Sequence, residues 1–460
     1  MGPTTSAGND YGMWSVIDCG SGVRHGKHEM TLFLSRLSLA SLLLQDIPLP
    51  VANHSHFTSL PPCPFSFFCH VRSLKTADSR ATNRTVQPED ELQKLKMIRA
   101  RLKDINKPPV KIIQSPDGDI IDCVLSHQQP AFDHPLLKGQ KPLDPPKRPN
   151  GHNSTATATE TLQLWRMSGE ACPEGTVPIR RTSEADMLRA SSFQMFGKKV
   201  SRHLTTDDSS IAHEYAAGYV SGDQYYGARA SINVWAPNVA EQNEFSLAQL
   251  WVNGGTKGVD VNTIEAGWQT FPQLYGDSNP RFFIYWTNDN YQSGCYNLLC
   301  AGFVQTNNRF VLGGTANPWS LYNAGQFEFT LMVYKDPVSG NWWLLVEPMI
   351  WVGYWPSVLF NHLGGPANIV DFGGEILNSS PSGSHTSTQM GSGHFAGEGF
   401  EKAAYFRNLQ VVNGNNYLIP VQNLQTWADN SNCYDIQGGT TDAWGNYFFY
   451  GGPGRNAGCP

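Results

Sequence analysis

From Ala230 onward, short apolar or aromatic runs alternate with breaks at Gly, Asn, Pro or Asp. They are Ala230–Trp235, Phe245–Val252, Arg281–Thr287, Gln326–Tyr334, Trp342–Pro348, Gly399–Leu409 and Asn446–Tyr450. Helical spacing is nearly missing from this stretch. Many short strands so spaced predict a mainly β body over 211–460: two packed antiparallel sheets, a jelly-roll-like β-sandwich. The chain before it reads differently. Pro88-Glu-Asp-Glu-Leu92 opens a helix with Leu92, Leu95, Ile98, Leu102 and Ile105 at helical spacing, and Lys107-Pro-Pro109 ends it. Val110–Gln114 and Asp119–Val124 flank Ser-Pro-Asp-Gly as a β-hairpin, and a short helix is expected near Glu184–Ser192. Residues 86–204 are thus expected to form a smaller α+β domain. Residues 138–160 read as an exposed loop, and Thr205–Ser210 as a boundary open to proteolysis. Residues 1–80 show no clear period, and 1–85 are set apart as a separate N-terminal stretch.

One predicted strand, Val259–Thr270, carries a single carboxylate. Side-chain alternation puts Glu265 on a face with Val261 and Thr263, and puts Ile264, Ala266 and Trp268 on the other. Gly267 removes a side chain beside the acid and lets another backbone come close. Ile369–Leu377 repeats the arrangement, with Glu375 on the side of Gly373 and Asp371. Taken alone, each glutamate reads as an exposed strand residue. Two of them on separate strands of one sandwich are able to converge in a groove.

Charge divides the chain. Residues after 210 hold 8 of the 33 Lys and Arg but 18 of the 39 acids, a net charge of −10 against +4 for the rest. An acidic body lacks the basic surface that phosphate binding needs, so nucleic acid is not an expected partner. The two portions are instead expected to attract each other. Nine cysteines and N-x-S/T sequons at Asn53, Asn83, Asn153 and Asn378 point to the secretory route. Met30–Leu44 reads as the core of a signal peptide, with Arg36 inside it and an exit near Pro50-Val-Ala52; Met30 is the expected start. It is too short to span a bilayer, and no other segment resembles a membrane span. The expected location is secreted or extracellular, with a cell wall or a vacuole as the candidate destinations.

Other chemistries find little footing. His213-Glu214 lacks the second histidine of a zinc-protease helix, and no Cys-x-x-Cys pair, G-x-S-x-G elbow or phosphate loop appears. Cys295-Tyr-Asn-Leu-Leu-Cys300 reads as a short-loop disulfide in a secretory setting, and otherwise as a redox or metal pair. His385 and His394, in Gly/Ser-rich surroundings, read as ordinary loop histidines.

Two sets of motifs carry a family resemblance over residues from about 90 to the C-terminus. Gly118-Asp-Ile-Ile-Asp-Cys-Val124, Gln129-Pro-Ala-Phe-Asp-His-Pro135 and Cys172-Pro-Glu-Gly-Thr-Val-Pro-Ile-Arg-Arg181 form the first. Asn262-Thr-Ile-Glu-Ala-Gly-Trp-Gln269, Pro280-Arg-Phe-Phe-Ile-Tyr-Trp-Thr287, Gly302-Phe-Val-Gln-Thr-Asn-Asn308, Gly373-Gly-Glu375 and Phe449-Tyr-Gly-Gly-Pro-Gly454 belong to the second. In order, they resemble the activation propeptide and the catalytic domain of the neprosin family of plant secreted glutamic peptidases. The resemblance implies Glu265 and Glu375 as the catalytic pair, with no metal or cofactor, and disulfides Cys123–Cys172, Cys295–Cys300 and Cys433–Cys459. It implies an acid-acting endopeptidase that cleaves after proline in protein or peptide substrates and is held latent by its own propeptide. Trp268 and Tyr285 are expected to line the substrate cleft. A proline-rich junction is missing at 205–210, so another protease is expected to cut near Lys198-Lys199. The competing expectation is a non-catalytic, carbohydrate- or cell-wall-binding sandwich with aromatic rings stacked on sugars.

Overall fold

The computed structural model describes residues 88–152, 163–199, 212–379 and 383–460. The expected signal segment, Cys19, Cys63, Cys69 and the sequons at Asn53, Asn83 and Asn153 lie outside these residues, as does the junction 205–210. Seven antiparallel strands form one sheet, in the order Gln425–Ala428, Ala212–Tyr225, Ala367–Asn378, Ser246–Gly254, Asn262–Thr270, Arg281–Thr287 and Cys295–Tyr296. A nine-stranded antiparallel sheet packs on it, with Gly227–Asn233, Glu328–Lys335, Trp342–Val346 and Ala404–Val412 near its middle. The result is an antiparallel β-sandwich.

Alternation decides what each face of the seven-stranded sheet does. Ala248, Leu250, Ile264, Ala266, Trp268 and Phe372 point inward and meet Ile232, Leu331, Leu344 and Trp355 of the other sheet in the main core. The opposite face carries a second cluster around Phe245, Leu247, Trp251, Phe283 and Tyr285, together with the polar side chains described below. On that outer face Gly267 and Gly373 leave the sheet bare. A Cβ on Gly267 would run into the carbonyl oxygen of Ala248 and stand 2.7 Å from Gln249 Cα. Backbone cannot retreat as a side chain does, so Gly267→Ala is expected to destabilise the fold by about 3 kcal/mol, read from the unfolding midpoint. An unchanged midpoint would show that the sheet has slack there.

The N-terminal part is built from local signals. The helix Pro88–Ile105 forms as its spacing predicts, although only Ile98 and Ile105 of the apolar stripe are buried and Leu92 is exposed. Pro109–Gln114, Ile120–Leu125 and Thr176–Arg180 make a three-stranded antiparallel sheet. The helix Glu184–Arg189 starts from a capping box in which Ser183 and Asp186 satisfy each other's backbone N–H. Among the described residues, the disulfides Cys123–Cys172, Cys295–Cys300 and Cys433–Cys459 have Cα–Cα separations of 5.4, 5.9 and 5.4 Å.

Polar contacts dock this part on the sandwich. Arg281, buried at the start of its strand, donates from Nη1 to Asp119 Oδ2 at 2.5 Å, and Thr315 donates to Asp117 at 2.6 Å. Gln129 exchanges two hydrogen bonds with the backbone of Gln305, at 2.7 and 2.8 Å. His152 meets Glu347, which Arg229 also clasps with two nitrogens. Among the described residues no helix is long and apolar enough to cross a membrane.

Candidate active site

The bare outer face of the seven-stranded sheet gathers two acids from strands that are not neighbours. Glu375 and Glu265 lie on either side of the Ser246–Gly254 strand, whose Gln249 stands between them; all three side chains are fully buried. Each acid uses one oxygen for anchoring. Glu265 Oε1 accepts from Thr263 Oγ1 and from the Tyr291 hydroxyl, both at 3.0 Å. Glu375 Oε1 pairs with His213 Nδ1 at 2.7 Å and lies 3.4 Å from the Tyr215 hydroxyl. The two Oε2 atoms turn toward a common point.

Lys199 occupies that point. Its Nζ donates to Glu265 Oε2 at 3.0 Å and to Glu375 Oε2 at 2.7 Å, so the two oxygens are no farther apart than those distances combined. Gln249 Nε2 donates to the same pair, at 2.9 Å to Glu265 and 3.4 Å to Glu375. The ammonium is flanked by the rings of Phe245 and Tyr291 at 5.9 and 5.8 Å. Gly197, at φ +78°, turns the chain into the cleft, where a Cβ would strike Leu299.

Burial and charge compete here. Burial pushes the Glu375 carboxyl up, but the Lys199 ammonium and the bond to His213 outweigh it and hold it well below the usual carboxylate range. Burial pushes Lys199 down, yet Glu265 and Glu375 keep its pKa raised. Burial, reinforced by the same acids, lifts the hydroxyls of Tyr215 and Tyr291 far up, so both stay protonated donors.

Beside the acids the face opens into a cavity of about 130 Å³, walled by Tyr215, Trp251, Tyr291 and Trp427, with Thr263 and Asp371 at its edge. Lys257, on the exposed turn after the Gln249 strand, lies over the rings of Tyr215 and Trp427 at 5.2 and 5.8 Å. Burial lifts the Asp371 carboxyl to about 6, against the pull of Lys257 and of a hydrogen bond from Asn253.

Several expectations need correction or placement. Trp268, expected at the cleft, is fully buried between the sheets, where its Nε1 donates to Asn233 O at 2.9 Å. Three positions from Glu265 means the opposite face of the strand. Tyr285 is opposite Glu265 across the strand pair and on the same face, buried against Tyr291 and Tyr296. Lys199, expected within a protease cutting site, is only 3% exposed at its side chain and is held by both acids. A protease reaches it only after the segment has left the cleft. Asn378 is half-buried and donates to Glu214 Oε1 at 3.1 Å. His385 and His394 contact Glu214 and Glu398.

Sequence reading missed His213, Gln249, Thr263, Tyr291 and Lys199 as site residues. A signal existed for Gln249, the one amide inside the otherwise apolar Leu247–Val252 run, and for Thr263, which shares the face of Glu265. Nothing local marks Lys199 or Tyr291.

Two buried carboxylates on one sheet of an antiparallel sandwich, closed by a lysine from the chain's own N-terminal part, have the layout of a latent enzyme. Residues 112–219 match the family model described as neprosin activation peptide, and residues 242–453 match the one described as neprosin. The chain belongs to the neprosin family, an activation peptide followed by a peptidase domain. Structural likenesses are distant. Scytalido-glutamic peptidase with a peptide-based transition-state analogue is 10% identical, over 53% of this chain and 99% of that one, with a TM-score of 0.31. SCP-B, a member of the eqolisin family of peptidases in complex with the tripeptide Ala-Ile-His, is 9% identical over 53% and 99%, with a TM-score of 0.29. Likenesses this remote carry no argument about the site.

Proposed function

We propose that the chain is the secreted zymogen of an acid-acting glutamic endopeptidase that cleaves after proline, with Glu265 and Glu375 as its catalytic pair. The observation that carries this reading is the convergence of both Oε2 atoms on the one position that Lys199 fills. When the activation peptide leaves, that position is open to water. Without the ammonium, two neighbouring carboxyls resist double ionisation and share one proton. His213 favours the ionised form of Glu375, whereas Glu265 is anchored by the neutral hydroxyls of Thr263 and Tyr291. Glu375 therefore acts as the base and Glu265 as the acid. Water attacks the peptide carbonyl as Glu375 takes its proton, and Glu265 donates to the carbonyl oxygen. Collapse passes the proton held by Glu375 to the leaving nitrogen and returns the proton on the former carbonyl oxygen to Glu265.

The aromatic-walled cavity beside the pair supports the preference for proline, since a compact, rigid pyrrolidine ring packs well between Trp and Tyr faces. Trp427→Ala is expected to lower kcat/KM for a proline peptide about tenfold while leaving the alanine analogue within about twofold. Equal losses on both peptides would remove the cavity from specificity. A sugar-binding role finds less support, because Trp268, Trp342, Trp343 and Trp355 are all buried.

The reading as a whole is tested by incubating the processed, secreted protein in mildly acidic buffer with a proline-containing peptide, wild type against Glu375→Gln. Cleavage by wild type alone is expected. No cleavage by either, or equal cleavage by both, overturns the peptidase reading; a protein retained inside the cell overturns secretion.

A further inference from the structure

Among the described residues, Gln249 is the one polar side chain between the acids that neither anchors an Oε1 nor belongs to the activation peptide. It is fully buried on the central strand of the site, with its neighbours Ala248 and Leu250 turned into the sandwich core. Both Oε2 atoms it faces are acceptors, so the amide edge presented to them is the nitrogen. Its Oε1 is the end left over, buried and without a hydrogen-bond partner among the described residues. A buried amide with an unused acceptor is costly in a sheet otherwise so well paired, and the cost is recovered when a ligand supplies the missing bond. The bare surface left by Gly267 on the neighbouring strand lies directly across from Gln249, so no side chain there shields the amide.

We propose that Gln249 is a third catalytic residue, donating from Nε2 to the oxygen of the tetrahedral intermediate and accepting a substrate backbone N–H at Oε1. The proposal rests on the Glu265/Glu375 reading above. As water forms the new C–O bond, the carbonyl π pair moves onto oxygen. That oxygen lies against Glu265 Oε2, which supplies a proton, and so within reach of the Nε2 that stands 2.9 Å from the same Oε2. While the activation peptide is bound, this N–H is engaged by the carboxylates; in the transition state it meets the developing charge without having to move. Glu265 then takes its proton back as the pair re-forms the carbonyl, the C–N bond breaks, and the nitrogen takes the proton that Glu375 received from water.

Three processed enzymes compared on one proline peptide test it: wild type, Gln249→Met and Gln249→Asn, with Glu375→Gln as control. Met keeps the length and apolar volume but no amide; Asn keeps the amide but withdraws it by one methylene. Gln249→Met is expected to lose about 100-fold or more in kcat with KM within about threefold, and Gln249→Asn to lose less than Met. Loss of a donor to the ionised carboxyls also moves the acidic limb of the kcat/KM profile to higher pH in Gln249→Met. A packing role predicts the opposite order, with Met near wild type and Asn the weaker, and an unmoved profile; that result overturns the proposal. If neither variant folds, the wild-type enzyme crystallised with a phosphinic peptide decides: Gln249 Nε2 within about 3.2 Å of a phosphinyl oxygen supports it, and separation beyond about 4 Å overturns it. Inactive wild type, or an active Glu375→Gln, would mean instead that the two-glutamate reading has failed.

Discussion

Replacing Glu375 by Gln in the processed enzyme is expected to lower kcat at least about 1000-fold, and replacing Glu265 by Gln about 100-fold. The asymmetry follows from the anchoring of each acid. Glu375 is the carboxyl whose ionised form His213 favours, so it is assigned the proton from water, and an amide in its place has no basic oxygen to accept one. At Glu265 an amide still points an N–H at the carbonyl oxygen and keeps part of the polarisation, although it cannot pass a proton. Both changes preserve shape and volume. Oε1 of Gln at either site still accepts from the groups that held the carboxylate, namely Thr263 and Tyr291 on one side and Tyr215 on the other. Unfolding midpoints of the processed proteins should therefore stay close to wild type, and initial rates on a fluorogenic proline peptide report chemistry alone. A reversed order of losses would exchange the two roles. Wild-type rates in Glu375→Gln would remove the pair from catalysis.

How far these assignments were legible follows from which interactions are local. Strand parity alone put Glu265 with Thr263, and Glu375 with Asp371 and Gly373, and the same parity consigns Trp268 to the core. Aromatic abundance suggested Trp268 as a cleft residue, but in a two-layer sandwich most large rings fill the space between the sheets. The strand Ala212–Tyr225 gave little signal, because its Ala216, Ala217 and Gly218 have weak strand preference. It forms through pairing on both sides, with Gln425–Ala428 and Ala367–Asn378, and small residues are what that crowding admits: a Cβ on Gly218 would stand 3.1 Å from Leu424. His213 and Tyr215 reach Glu375 only because that pairing sets the register of the two strands. Lys199 is the extreme case. Its role depends on a docking held by Asp119, Gln129 and Gln163, residues 36 to 80 positions earlier, and no window of sequence around Lys198-Lys199 contains that information.

The same docking yields the second large effect. Lys199→Met in the full-length chain, with processing blocked, is expected to raise peptide hydrolysis at near-neutral pH by about 100-fold over the silent wild type. Removing one partner of a buried charge cluster strands the others, typically at a cost of about 3–5 kcal/mol. Here two carboxylates with no exposure lose the ammonium that neutralises them, and relief comes from withdrawing the segment and admitting water. The pH dependence of latency in the wild type follows from the two shifts. Glu375 is depressed by Lys199 and His213, so its share of the closure is complete above the ordinary carboxylate range and is lost as pH falls through its lowered value. Lys199 is raised, so its share is complete below the ordinary lysine range and fades only as pH rises through the raised value. Closure is therefore expected to be firm across neutral pH and to open on the acid side, where, on the proposed mechanism, a single shared proton also makes the pair catalytic. In Lys199→Met the ammonium no longer holds Glu375 down, and the onset of hydrolysis on acidification should move to higher pH. An unprocessed Lys199→Met chain as silent as wild type at every pH would show that the backbone of the segment, and not its ammonium, keeps the cleft closed.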